Sequence, residues 1–246
     1  MRRIVMFPAL LVSLALVAGA CGGSKKTAAT TTTTTTAPTT TSTTAAATLT
    51  STDKVAVFLD GTVLTPAEVQ AALGLAAAPT VYPGTASSPP PPQGPLSLKG
   101  IVAVFPSPAY EGLLQQGEAS VGANHTYLVA GGPYTVNVLA VKFKSGDTGR
   151  LFVSSATSTA VSFGGAQQTQ HPELSIGTQP NGVLRVPPTP PATNEQVVVG
   201  ALYQDGVYYL VSAGAAPGKV ADDIVIKVLK AQDAKYQGKK SSLPTS

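Results

Sequence analysis

The sequence predicts an α+β fold: a single domain over residues 53–236, mostly antiparallel sheet with three to four helices packed on it, after a disordered stem. Three observations carry this expectation. Two β-rich runs, 196–203 and 207–213, flank Gln204-Asp205-Gly206, and Asp-Gly between such runs is a hairpin signal. Helix-start signals recur directly after apolar runs, which is the order of strand followed by covering helix. Ahead of Asp53 the composition collapses to Thr, Ala and Ser, while the stretch from Asp53 to Tyr236, about 184 residues, is long enough for one core.

The elements follow in order. Val55-Ala56-Val57-Phe58-Leu59 is expected as a first strand. It runs into Asp60-Gly61 and a helix opened by Leu64-Thr65-Pro66-Ala67-Glu68, with Thr65 as N-cap, Pro66 as first helical residue and Glu68 completing a capping box. Val69, Ala72, Leu73 and Ala76 supply its apolar face, and it ends by Pro79. A second strand is expected over 100–105, then a helix that Ser107 caps and Pro108 starts, running to about Ser120. Residues 134–143 alternate as a strand, and Ser145-Gly146-Asp147 leads into a helix over 148–157. After the hairpin, Pro217-Gly218 opens a closing amphipathic helix over 219–236, with Val220, Ile224, Val228 and Ala231 on one face. Residues 237–246 read as a frayed polar tail. The proline-rich segments 83–95 and 186–192 are expected as rigid surface loops.

The first twenty residues carry Arg2 and Arg3, an apolar run over 4–17, and small residues Ala18-Gly19-Ala20 before Cys21. This is the three-part layout of a removable export signal. The apolar run is shorter than the roughly 20 residues a membrane-spanning helix requires. Its length and apolar character suit the general secretory route better than the twin-arginine route. Val17-Ala18-Gly19-Ala20-Cys21 resembles a bacterial lipobox, with Ala at the third position before the cysteine where the family usually has Leu. That resemblance implies cleavage after residue 20 and lipid on Cys21. Cys21 is the only cysteine in the chain, so an internal disulfide is excluded, and a bare thiol in an oxidising compartment would be a liability. Residues 21–52 form the anchor and linker. Sixteen Thr fall between Thr27 and Thr52, and such a segment buries too little to offset its ordering entropy. As a flexible coil it would span roughly 28 Å. It is similar to the Thr-rich stems of actinobacterial lipoproteins, which are often O-glycosylated.

The net charge of +4 is misleading about partners. Arg2, Arg3, Lys25, Lys26, Lys239 and Lys240 lie outside 53–236, leaving ten basic residues there against all twelve acidic ones, a net of −2. With no basic surface and no Trp, nucleic acid is not an expected partner. The two histidines, His125 and His171, stand apart from each other and from any recognisable nucleophile motif, so no catalytic residue is assigned and no enzyme is expected. No metal ligands and no cofactor are assigned either, because histidine and cysteine spacing fits no known site. Asp222-Asp223 is expected to meet the dipole of the closing helix. Tyr203, Tyr208 and Tyr209 cluster on the hairpin, and alternation sends Tyr208 and Tyr209 to opposite faces. They are the candidate binding surface, with hairpin packing as the competing reading.

Taken together, the segment 64–74, the step around 104–109 and the hairpin plus helix over 197–236 resemble small α+β domains of mycobacterial and related lipoproteins. Among these are the extracellular sensor domains of actinobacterial Ser/Thr kinases and PsbP-like domains. The resemblance implies non-catalytic binding at the cell envelope, on the extracytoplasmic face, with no residue role carried over. The expected partners are the membrane, through lipid on Cys21, and an envelope protein, lipid or cell-wall ligand. An alternative is a carrier that holds an apolar molecule between sheet and helix, and a cell-envelope hydrolase is a third class.

Overall fold

The structure is a computed structural model that describes residues 49–84, 89–105, 109–130, 134–171, 173–178, 182–188 and 193–244. The export signal, Cys21 and the stem through residue 48 lie outside the described residues, as do Ser107 and Pro108. Residues 47–246 form one compact unit.

That unit is α+β, built on one antiparallel sheet. The strands are β1 (Thr80–Val81), β2 (Gly94–Ser97), β3 (Ala119–Leu128), β4 (Thr135–Phe143), β5 (Gln167–Gln170), β6 (Gly182–Val186), β7 (Glu195–Leu202) and β8 (Val207–Ala215). Their order is β1-β3-β4-β8-β7-β6-β5, with β2 also paired to β3. Among the described residues there are six α-helices: α1 (Ser51–Thr62), α2 (Pro66–Leu73), α3 (Leu98–Val104), α4 (Ala109–Gln116), α5 (Gly146–Gly164) and α6 (Asp222–Lys239).

The hairpin forms where expected. The Tyr203 N–H donates to the Val207 carbonyl at 2.9 Å, and Gly206 sits at φ 80°, a conformation open to glycine at little cost. A Cβ there would also lie 2.5 Å from the Phe143 carbonyl oxygen. The helix over 66–73 is capped as read: Thr65 accepts from the Glu68 N–H and Glu68 accepts from the Thr65 N–H.

Two expected strands are helices, and this accounts for the excess over three or four. Val55-Ala56-Val57-Phe58-Leu59 lies in α1. Its β-branched residues suit a strand, but Thr50 and Asp53 make a reciprocal capping box, and Val55, Ala56 and Leu59 are buried while Val57 is 50% exposed. That is helical periodicity. The helix also takes in Ser51 and Thr52, assigned to the linker by composition. Residues 98–104 are likewise helical. Ser97 accepts from the Gly100 N–H, and Ile101 packs tightly above Gly122, where an added Cβ would lie 3.1 Å from the isoleucine side chain. Packing against the sheet overrides the β preference of Ile-Val-Ala-Val.

Other boundaries also move. The proline-rich segments expected as loops meet strands at their ends, because Gly94 and Pro95 pair with Asn124 and Ala123 in β2 and Val186 pairs with Gln196 in β6. The closing helix starts at Asp222 rather than at 219. The helix expected to reach about Ser120 ends at Gln116. Glu118 at φ 52°, the one non-glycine with positive φ among the described residues, turns the chain into β3. The helix after Ser145 is longer than 148–157, reaching Gly164. Residues 237–242, expected to fray, continue α6 and a short 3-10 turn, and Lys239 Nζ donates to the Gly61 carbonyl at 2.9 Å.

The sheet has two unlike faces. On the first, Val136, Val138 and Ala140 of β4 and Tyr209, Val211 and Ala213 of β8 meet α1 and α6 in one continuous core. α6 contributes Val225, Val228, Leu229, Gln232 and Tyr236, all buried. Of the face read from the sequence, Val220 and Val228 are buried and Ile224 and Ala231 pack at its margin. Gln232 carries the polar seam: its Nε2 donates to the Thr62 carbonyl at 2.9 Å and its Oε1 accepts from the Leu64 N–H at 3.1 Å, pairing groups that α1 leaves open at its C-terminus. Lys235 adds bonds to the Val63 carbonyl and Glu68, each at 2.7 Å. The second face meets α3, α4 and α5 around Phe143, Phe152, Leu139 and Tyr208.

Candidate ligand-binding cleft

The three hairpin tyrosines do not make an outward patch. Tyr203 and Tyr208 are 6% exposed and Tyr209 is fully buried. Burying a phenol removes a large apolar area from water, and its hydroxyl then needs a partner. Tyr209 meets Thr62, with the two hydroxyls 2.6 Å apart, Tyr203 donates to Asp233 at 2.7 Å, and Tyr236 beside them donates to Asp205. Alternation does separate Tyr209 from Tyr208. Tyr208 turns to the second face, and there the sheet is not sealed.

Between that face and α5 lies a cleft of about 510 Å³. Strand register lays out its floor in rows. Asn137 of β4 stands opposite Thr126 of β3 and Ser212 of β8, and Ser212 stands opposite Val198 of β7. One step along, Leu139 stands opposite Leu210, and a step further Val141 opposite Tyr208. The floor thus changes from amide and hydroxyl to aliphatic to aromatic over five residues of one strand.

The apolar end is closed by rings: Phe152 and Tyr208 have centroids 6.1 Å apart, and Phe105 stacks on Tyr110 at 4.9 Å. Gly200 admits Tyr208, since a Cβ there would lie 2.2 Å from the phenol oxygen. Burial pushes the Tyr208 hydroxyl well above its ordinary titration range, with Tyr110 adding to the shift, so it stays a neutral phenol. The wall is the side of α5 that shows Val153, Ala156, Thr157 and Ala160. The space exists because these residues are small.

At the polar end, residues 91–93 of the proline-rich segment form the rim. Asn124 Nδ2 donates to the Pro92 carbonyl at 2.7 Å, and the Thr126 N–H donates to Gln93 Oε1 at 2.8 Å. Asn137 Nδ2 donates to both Asn124 Oδ1 and Thr126 Oγ1, each at 2.7 Å. Both amide hydrogens of Asn137 are therefore committed, and its Oδ1 is the atom it can offer a ligand. Gln196, Asn194 and Thr135 complete the mouth. Among the described residues, no Asp, Glu, Lys, Arg or His lines the cleft. A smaller recess of about 70 Å³, reaching Gln168 and Gly182, shares Val153, Leu184 and Tyr208 with it.

Neither histidine stands alone, and neither lines the cleft. His125 Nε2 is 2.8 Å from Asp60 Oδ1, and its Nδ1 is 3.0 Å from the Tyr127 hydroxyl, which donates to the Leu64 carbonyl at 2.6 Å. The group ties the end of α1 to β3. His171 Nδ1 is 2.7 Å from Glu173, and its buried Nε2 lies 3.6 Å from Asp222, beyond hydrogen-bond reach. Asp222 and Asp223 do stand in the first turn of α6. Asp222 also accepts from Arg185, which reaches Glu195 as well, and Asp223 pairs with Lys227 at 2.8 Å. Among the described residues, no helix is long and apolar enough to cross a membrane.

The tyrosine cluster was legible in the sequence, whereas Asn137, Ser212, Gln196 and Ala156 were not. Their common signal is period-2 alternation read across paired strands, which needs the register. No protein-family model matches the chain, and no curated protein matches it in sequence. Among solved structures it is similar to the extracellular domain of PknH from Mycobacterium tuberculosis, with 14% identity and a TM-score of 0.44, over 73% of this chain and 95% of that chain. A score of that size marks a distant likeness and brings no residue role with it.

Proposed function

We propose that this protein is a non-catalytic, extracytoplasmic lipoprotein that holds a small ligand in the cleft between its sheet and α5. The observation that carries the reading is the cleft of about 510 Å³, within the range of sites that enclose one drug-sized molecule. Its lining of apolar floor plus a few convergent amides and hydroxyls has the usual composition of such sites. Among the described residues, its lining presents no group that moves protons near neutral pH, which favours holding over turnover. Among the earlier alternatives, the carrier gains over a protein-docking module, because the tyrosines that would form a flat docking patch are buried.

Location rests on the sequence. The lipobox-like residues before Cys21 direct cleavage there, lipid on Cys21 supplies the anchor, and the Thr-rich stem holds the domain off the membrane. Intact mass of the membrane-extracted protein should show a diacylglyceryl group on a chain beginning at Cys21. Cys21→Ser protein that stayed equally membrane-bound would remove the anchor from the reading. For the cleft, solvent extraction of protein purified from its native envelope should release a small molecule from the natural chain and not from Ala156→Trp, whose indole would occupy the space. Equal release from both, with the variant still folded, would place any ligand elsewhere.

A further inference from the structure

Resting on that reading of the cleft, we infer that its ligand is an uncharged amphiphile: one apolar tail directed to Leu139, Leu210 and Phe152, and a hydroxyl-bearing head at Asn137, Ser212 and Gln196. The polarity of the floor sets the orientation. Along β4 and β8 the opposed pairs run Asn137 with Ser212, Leu139 with Leu210, and Val141 with Tyr208, and the aromatic end is packed shut by Phe152 and Phe105. A tail laid along this gradient loses water against apolar side chains, a gain proportional to area buried. A head at the other end meets the Asn137 oxygen, the Ser212 hydroxyl and the Gln196 amide. These are neutral donors and acceptors of the kind that pair with alcohols and sugars.

The absence of charge among the described lining residues decides the class of head group. A carboxylate, phosphate or ammonium drawn into the mouth would shed water without meeting a counter-charge, and desolvating an unpaired ion costs far more than desolvating a hydroxyl. A head with several hydroxyls gives up only hydrogen bonds that the amides replace. The site therefore selects acylglycerol-like or glycosylated lipids over anionic phospholipids and free fatty acids.

The test compares three probes that share a twelve-carbon tail: monolauroylglycerol, laurate and dodecyltrimethylammonium. They are titrated below their micellar concentrations into the mature chain, residues 21–246 with Cys21→Ser, which carries neither signal nor lipid and so needs no detergent. Binding is read by calorimetry. Monolauroylglycerol should bind at least about tenfold more tightly than either ion, the size of effect expected when a charge is desolvated without a partner. Ser212→Ala should lower its affinity by a few-fold, about the loss of one hydrogen bond, without moving the affinity for laurate. Laurate or the ammonium probe binding as well as the glyceride, with all binding lost in Ala156→Trp, would overturn the neutral head group and leave the cleft as the site. Glyceride binding undiminished in folded Ala156→Trp, or no binding of any probe by the natural cleft, would overturn both readings. The selectivity of the unmutated cleft is measured independently of either cleft variant.

Discussion

The two faces of the sheet share strands, register and neighbouring side chains, yet one is sealed and the other is open. On the sealed face α6 presents Val225, Val228, Leu229 and Tyr236, and three tyrosine rings pack within 6.1 Å of one another, centroid to centroid. On the open face α5 presents Ala156, Thr157 and Ala160 over part of its length. Packing at organic-crystal density is the default for an interior. A helix that offers methyls and hydroxyls where its counterpart offers rings therefore leaves a space that nothing in the described fold fills. The difference shows that side-chain size on the covering helix, not the sheet, decides which face is left open.

The comparison is most easily broken on the sealed face. Tyr236→Ala should cost about 3–5 kcal/mol in denaturant unfolding, as truncations of buried aromatics do. A loss below 1 kcal/mol would mean that this face is not packed as described. Gln232→Leu keeps the volume but strands the Leu64 N–H and the Thr62 carbonyl, and should cost about 1–3 kcal/mol.

Gly200→Ala probes the open face at its tight end. Displacing the Tyr208 ring should cost about 1–3 kcal/mol, the range for overpacking, and should weaken ligand binding as well. If the cost appeared with binding intact, Tyr208 would not shape the site. Acid should also act on the sealed side. Burial pushes the Glu68 carboxyl up, but hydrogen bonds from Lys235 and Thr65 outweigh this and hold it below its ordinary 4.5. A group with a depressed folded value contributes fully above its unfolded value and loses that contribution as pH falls through the folded one. Stability should thus decline on acidification below about 4.5, and part of that decline should disappear in Glu68→Gln. An equal decline in the variant would assign the acid response to other carboxylates. The smallest effect is expected at Ala156→Leu, which points into existing space. Stability should stay within about 0.5 kcal/mol, while ligand affinity falls.

Parts of this organisation were legible in the sequence. Thr65-Pro66-Ala67-Glu68 specified its helix start, Asp205-Gly206 its turn, and the alternation through Tyr208 and Tyr209 sent those rings to opposite faces. The cleft was not legible. Asn137, Ser212 and Val198 come from three strands and meet only through pairing, and an unfilled volume leaves no mark in residue type beyond a few alanines. The runs around Val57 and Val102 read as strands but fold as helices, because β-branched residues carry strand propensity whether or not a helix face is waiting for them.

By itself the sequence determined the fold class, the capped helix at Pro66, the hairpin and the side-to-side alternation of its strands. Each of these rests on interactions among residues a few positions apart. Only the tertiary structure decided that 55–59 and 100–104 are helical, that the hairpin tyrosines are interior, and that one face stays open. Those outcomes depend on what packs opposite a given side chain, and burial at a distance outweighs local preferences of a few tenths of a kcal/mol.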